Sequence, residues 1–159
     1  MQITANNPTL RSWIKVDASS EFPIQNLPFG IFETAQSGKR VGVRIGEHVL
    51  DLSLMASFGY FDDLNFTVSD FNQDFLNPMM RHGKLAVRAL RNRISELLST
   101  ENTSFQNNPA QHHALLPVQE VKMAMPVQIG DYTDFYSSKE HATNVGIMFR
   151  DPTNALLPN

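Results

Sequence analysis

Residues 40–52 read Arg40-Val41-Gly42-Val43-Arg44-Ile45-Gly46-Glu47-His48-Val49-Leu50-Asp51-Leu52. Val41, Val43 and Ile45 alternate with Gly42, Arg44 and Gly46, the period of two that turns one face of a strand toward a core. Gly46-Glu47 reverses the chain into His48-Val49-Leu50-Asp51-Leu52, so the stretch predicts a hairpin. Just upstream, Phe29 to Thr34 predicts another strand, joined through a turn at Gln36-Ser37-Gly38-Lys39. Three short strands with glycine-bearing turns predict a small barrel or a meander.

Working outward, Glu21 to Pro28 mixes apolar residues with Pro23 and Pro28 and reads as irregular chain laid over a core rather than a strand. Leu54 to Phe58 predicts a short helix, and Asn77-Pro78 reads as a breaker. From Arg81 to Ser99 the period becomes helical: Leu90, Ile94 and Leu97 fall at i, i+4 and i+7, flanked by Val87, while Arg81, Lys84, Arg88 and Arg91 form a stripe on the opposite face. Thr100 to Gln111 reads as a polar loop. Leu115 to Val118 is apolar again, and Val121, Met123 and Met125 alternate with Lys122 and Ala124, predicting a strand before Pro126. A boundary near 118–126 divides the chain into domains 1–120 and 121–159.

Composition excludes several function classes. The 159 residues contain no cysteine, which removes disulfides, thiolate nucleophiles and cysteine-based metal centres. Sixteen acids against thirteen lysines and arginines give a net charge of -3, the wrong sign for a chain-wide nucleic-acid footprint. The arginine stripe therefore reads as a solvated helix face, and no nucleic-acid partner is expected. No apolar run approaches the roughly 18 residues a membrane span needs, and residues 1–7 lack a secretory signal. A soluble cytoplasmic chain with no membrane partner is expected. His112-His113 reads as a solvated loop pair, and His48 and His82 as isolated.

The chemistry gathers in Gly130-Asp131-Tyr132-Thr133-Asp134-Phe135-Tyr136-Ser137-Ser138-Lys139-Glu140-His141-Ala142-Thr143-Asn144. If residues 131–136 are extended, Tyr132, Asp134 and Tyr136 share a face. Ser137 with Glu140 suits a capping box, beginning a short helix that stops at Gly146. Such a corner aims a carboxylate, a phenol and an imidazole into one pocket. Asp134 suits a hard divalent cation, although one carboxylate cannot fill its shell. The His141 imidazole suits proton transfer at neutral pH. Taken as residues alone, the same run serves equally as a capped helix with an aspartate in a turn and a surface histidine.

The run Ile129 to Ser138 followed by His141-Ala142-Thr143-Asn144-Val145-Gly146-Ile147-Met148-Phe149-Arg150 closely resembles the active-site segment of the fumarylacetoacetase family, hydrolases of a carbon–carbon bond. Asp17, Phe22 to Gly30, Val41-Gly42-Val43, Ile45-Gly46, Leu50 to Ser53 and Asn154 to Asn159 extend the resemblance over nearly the whole chain. It implies a mostly β architecture with short helices (α+β). A small SH3-like barrel over 1–120 would precede the first strand and helix of a truncated β-rich catalytic domain over 121–159. It implies Asp134 as a ligand of Ca²⁺ or Mg²⁺, Tyr136 and Arg150 as substrate-binding residues, and His141 as the general base. The implied reaction is hydrolysis of the small-molecule substrate 4-fumarylacetoacetate to fumarate and acetoacetate, the last step of tyrosine and phenylalanine catabolism, in a homodimeric enzyme.

In that family the remaining metal carboxylates, the carboxylate partner of the histidine, a further substrate tyrosine and a catalytic lysine lie beyond residue 159. The resemblance therefore implies a fragment that is inactive alone. The alternative is a non-catalytic interaction module pairing with full-length subunits. Without its sheet, Ile147, Phe149, Leu156 and Leu157 are expected to be poorly packed.

Overall fold

The computed structural model describes residues 4–157. The chain divides into two units, Met1–Gln128 and Ile129–Asn159. In the first, β1 (Phe29–Glu33), β2 (Arg40–Ile45) and β3 (His48–Asp51) form the meander that the alternation around Val43 calls for. Gly46 opens the β2–β3 turn at φ 49°, backbone that favours a residue without Cβ. Two later strands border the meander. β4 (Leu115–Pro117) pairs with β3, and β5 (Lys122–Ala124) pairs with β1, so the order of the antiparallel sheet is β4-β3-β2-β1-β5.

Besides several short 3-10 turns, the described chain also holds five α-helices. In the first unit these are α1 (Leu52–Ser57), α2 (Val68–Phe71), α3 (Asn77–Met80) and α4 (Gly83–Leu98). The last, α5 (Lys139–Phe149), lies in the second unit. The fold is α+β. The strands are three to six residues long, and the sixteen-residue α4 is the longest element.

One face of the sheet carries Ile31, Val41, Val43, Ile45 and Leu50 into the core, where Leu90, Ile94, Leu97 and Leu98 of α4 join them. Ile24 and Leu27, from the proline-punctuated segment, are buried in the same core. The segment 11–14 is stitched to the end of α4: the Trp13 amide donates to the Leu98 carbonyl at 3.2 Å, and its indole N–H to that of Leu97 at 3.0 Å.

Several local expectations change in three dimensions. Asn77-Pro78 starts a helix instead of breaking one, because the fixed φ of proline suits a first turn whose N–H needs no partner. The arginine stripe is not wholly solvated: Arg91 donates to the carbonyls of Leu27 and Gln25, both at 2.9 Å, and so fastens the leading segment to α4. His112 is not a solvated loop residue, since its ring stacks on Trp13 at 5.3 Å and its Nε2 meets the Phe105 and Gln106 carbonyls. His82 is not isolated, as it pairs with Asp70 at 2.7 Å. Within the expected loop 100–111, Phe105 is fully buried between Trp13 and Tyr60.

Asp51 is the buried charge of the sheet. Its Oδ1 accepts the amides of Ser53 at 2.9 Å and Leu54 at 3.2 Å, capping α1, while its Oδ2 accepts from the Arg40 guanidinium. Asp51→Ala removes the cap and strands a nearly buried cation, which lowers stability by about 3–5 kcal/mol. Asp51→Asn keeps a capping oxygen and loses less. Urea midpoints of the two variants check this order, and equal losses would refute it.

Burial works to raise the Asp70 carboxyl, but the Thr67 amide, His82 ring and Thr67 hydroxyl outweigh it and hold the carboxyl below its ordinary range. The folded value lies under the unfolded value of about 3.9, so the stabilisation is complete above that pH. It fades as pH falls through the depressed folded value. The melting-temperature gap between the protein and Asp70→Asn therefore stays constant above about pH 5 and narrows as the pH is taken below about 4. A gap that stays constant there too would contradict the assignment.

Candidate functional site

The second unit, described on its own, holds all four site candidates. Residues 129–138 form no ladder with any strand among the described residues. The extended strand expected over 131–136 is therefore an irregular run, because an isolated strand has nowhere to place its backbone hydrogen bonds. Asp134 lies exposed on this run, and Tyr136 is half exposed at 49%.

The helix that follows is capped one residue later than the spacing suggests. Ser138, with extended backbone, accepts the His141 amide on its Oγ at 3.2 Å and is the N-cap in place of Ser137. The same hydroxyl donates to Glu140 at 3.0 Å. Two adjacent serines offer equivalent chemistry, and only the backbone path chooses between them. Glu140 is held below the ordinary carboxylate range by its own backbone amide and by Ser138, the effect expected of an acid at a helix start.

This cap fixes the first turn of α5, and His141 with it. The His141 ring lies edge-on to Tyr136, with centroids 4.9 Å apart and planes at 68°. Phenol and imidazole are thus brought together five residues apart, across the junction of irregular chain and helix. Both residues are exposed.

α5 also continues past Gly146, where it was expected to stop, and runs to Phe149. Gly146 is the buried position of this helix because the chain folds back over it: a Cβ there would lie 2.0 Å from the Ala155 carbonyl oxygen. Arg150, just past the helix, donates to that same carbonyl at 3.4 Å. Asp151 caps the following turn, and the Thr153 hydroxyl and amide hold its carboxyl low. Arg150 stands nine residues from His141, roughly 13 Å along a helix. The fold-back over Gly146 had no local signal in the sequence, since it joins residues nine apart through a backbone atom.

Among the described residues, no group of three or more His, Asp or Glu side chains could hold a metal ion. Asp134 supplies one hard oxygen donor, short of the six to eight that Ca²⁺ takes. Ile147, Phe149, Leu156 and Leu157 are 41–76% exposed, and Ile129, Tyr132 and Phe135 are more than 70% exposed.

Gly146→Ala tests the fold-back. In an open helix this change stabilises by about 1 kcal/mol. Here it destabilises α5 and frees residues 150–157, seen as faster amide exchange at Ala155 and Arg150. Slower exchange would show that the close approach is not required.

Residues 25–126 match the family model described as Fumarylacetoacetase N-terminal. The chain is 46% identical over 152 residues to the Dictyostelium discoideum protein named fumarylacetoacetase, 43% over 150 to that of Homo sapiens and 40% over 153 to that of Arabidopsis thaliana. These matches cover 93–94% of this chain but only 36% of each relative, so the chain spans about a third of their length. No helix among the described residues is long and apolar enough to cross a membrane.

Proposed function

The chain belongs to the fumarylacetoacetase family through its N-terminal domain, and from that premise we propose that residues 129–157 carry part of the active site of a carbon–carbon bond hydrolase acting on 4-fumarylacetoacetate. The observation that carries this reading is the Tyr136–His141 ring contact at a Ser138-capped helix start, with Asp134 two residues ahead of the tyrosine. The domain of the sheet, of SH3-like type, would precede the opening segment of the catalytic domain, whose exposed apolar side chains pack on polypeptide that follows. The whole enzyme is a cytoplasmic homodimer.

In this reading the neutral His141 imidazole takes a proton from water, and the resulting hydroxide adds to the substrate carbonyl carbon. The carbon–carbon bond then breaks. The departing carbon takes up a proton to give acetoacetate, and the acyl part leaves as fumarate. Tyr136 offers a phenolic hydrogen bond to a substrate oxygen while its ring keeps the imidazole in place. Arg150, roughly a dozen ångströms along the helix, pairs with a terminal carboxylate through its planar fork. Asp134 would supply one carboxylate ligand to a divalent cation, Ca²⁺ or Mg²⁺, which would add Lewis-acid stabilisation of developing oxyanion charge. A lone carboxylate does not retain such an ion, so the 159-residue chain alone is inactive.

The test joins residues 1–159 to the remaining two-thirds of the Dictyostelium discoideum relative. The purified chain shows no turnover of fumarylacetoacetate above its His141→Ala variant. The folded chimera turns over, and His141→Ala lowers kcat by about 10²–10⁴. Turnover by the chain alone, or a chimera indifferent to His141→Ala, would sink the assignment.

A further inference from the structure

The sheet of the first unit has a second apolar face. Strand register places Gly30 and Phe32 of β1, Arg40, Gly42 and Arg44 of β2, and Val49 of β3 on the side opposite the main core. Phe32 and Val49 are buried there, at 0% and 3% exposure, yet neither belongs to the main core cluster. A cavity of ≈ 210 Å³ opens on this face, almost wholly apolar, with Phe22, Phe32, Val49 and Met123 among its walls and Arg44 as its one charged lining residue.

Gly30 and Gly42 pair directly across β1 and β2, although glycine weakens a strand interior and in such a place often marks close approach of another group. The two glycines have different causes. A Cβ on Gly42 would lie 2.7 Å from both Phe32 and Val49, so neighbouring side chains account for it. A Cβ on Gly30 would meet, within 4 Å, only the tip of the flexible Met123 side chain, which is 56% exposed. Packing does not require glycine at position 30. What the missing side chain achieves is an open cavity.

Arg44 defines what enters. Its guanidinium carbon lies 4.7 Å from the centre of the Phe22 ring, which holds the fork in place, and its donors reach the Gly46 carbonyl and Glu47 Oε1 at 3.1 Å. Glu47 is 64% exposed, so this ion pair is a weak surface contact. A carboxylate in the apolar cavity would compete with Glu47 for this fork in less water, where a bidentate pair is stronger. The volume, the share of about seven liquid waters, lies below the roughly 300–1,000 Å³ of drug-sized sites.

We propose that this cavity binds a small monocarboxylate with a compact apolar body of about seven to ten heavy atoms, its carboxylate on Arg44 and its body over Gly30 and Gly42. The site lies within the first unit and is independent of the chemistry assigned to residues 129–157.

Benzoate is the probe, and amide NMR of the full 159-residue chain is the readout. Benzoate shifts the Gly30 and Gly42 amides saturably at about millimolar concentration, and benzamide binds at least tenfold more weakly. Gly30→Ala, which loses no strand stability, and Arg44→Gln each weaken benzoate at least tenfold while distant amides keep their positions. Any of three results would overturn the site: no saturable shift, equal affinity for benzamide, or affinity unchanged in Gly30→Ala. Shifts of the same amides on concentrating the protein without benzoate would also overturn it, by showing that a second copy fills the face.

Discussion

The buried Asp51 carboxylate ties together the hairpin, the first helix and the second face of the sheet. It stands where β3 becomes α1, accepts two amides of the helix start, and receives the Arg40 guanidinium from the neighbouring strand. Arg40 in turn covers the Phe32 ring, 4.6 Å from its centre. A charge taken this far from water is tolerated only when every lone pair is met. Asp51 stands on β3 and its partners come from β2 and α1, so sheet and α1 must form together.

The same economy of polar groups governs the periphery. Arg91 satisfies two carbonyls of the proline-interrupted segment, which has no ladder of its own to satisfy them. Trp13 and Ser12 do likewise for the last carbonyls of α4, which every helix leaves without an internal partner. Cationic and aromatic side chains that look like surface features in one dimension thereby hold irregular chain onto the core.

The second unit follows a different logic. Its helix is organised by a serine cap at one end and by a glycine packed under a carbonyl at the other, with little apolar burial between. These local devices place His141 against Tyr136 and Arg150 against Ala155. Its large apolar side chains remain in solvent.

Periodicity alone determined the three-stranded meander, the β5 strand and the amphipathic α4, because each depends on neighbours one to four residues away. The candidates Asp134, Tyr136, His141 and Arg150 were legible because they crowd a short run with an N-cap signal and resemble a known family. Tertiary structure alone decided which serine caps α5 and that α5 passes Gly146. It also decided that Asn77-Pro78 starts a helix, that Arg91 and His112 turn inward, and that Gly30 keeps a cavity open where Gly42 does not. The inward turns of Arg91 and His112 and the passage of α5 over Gly146 depend on atoms supplied from elsewhere in the chain, and one-dimensional spacing carries no record of which carbonyl or ring will be there.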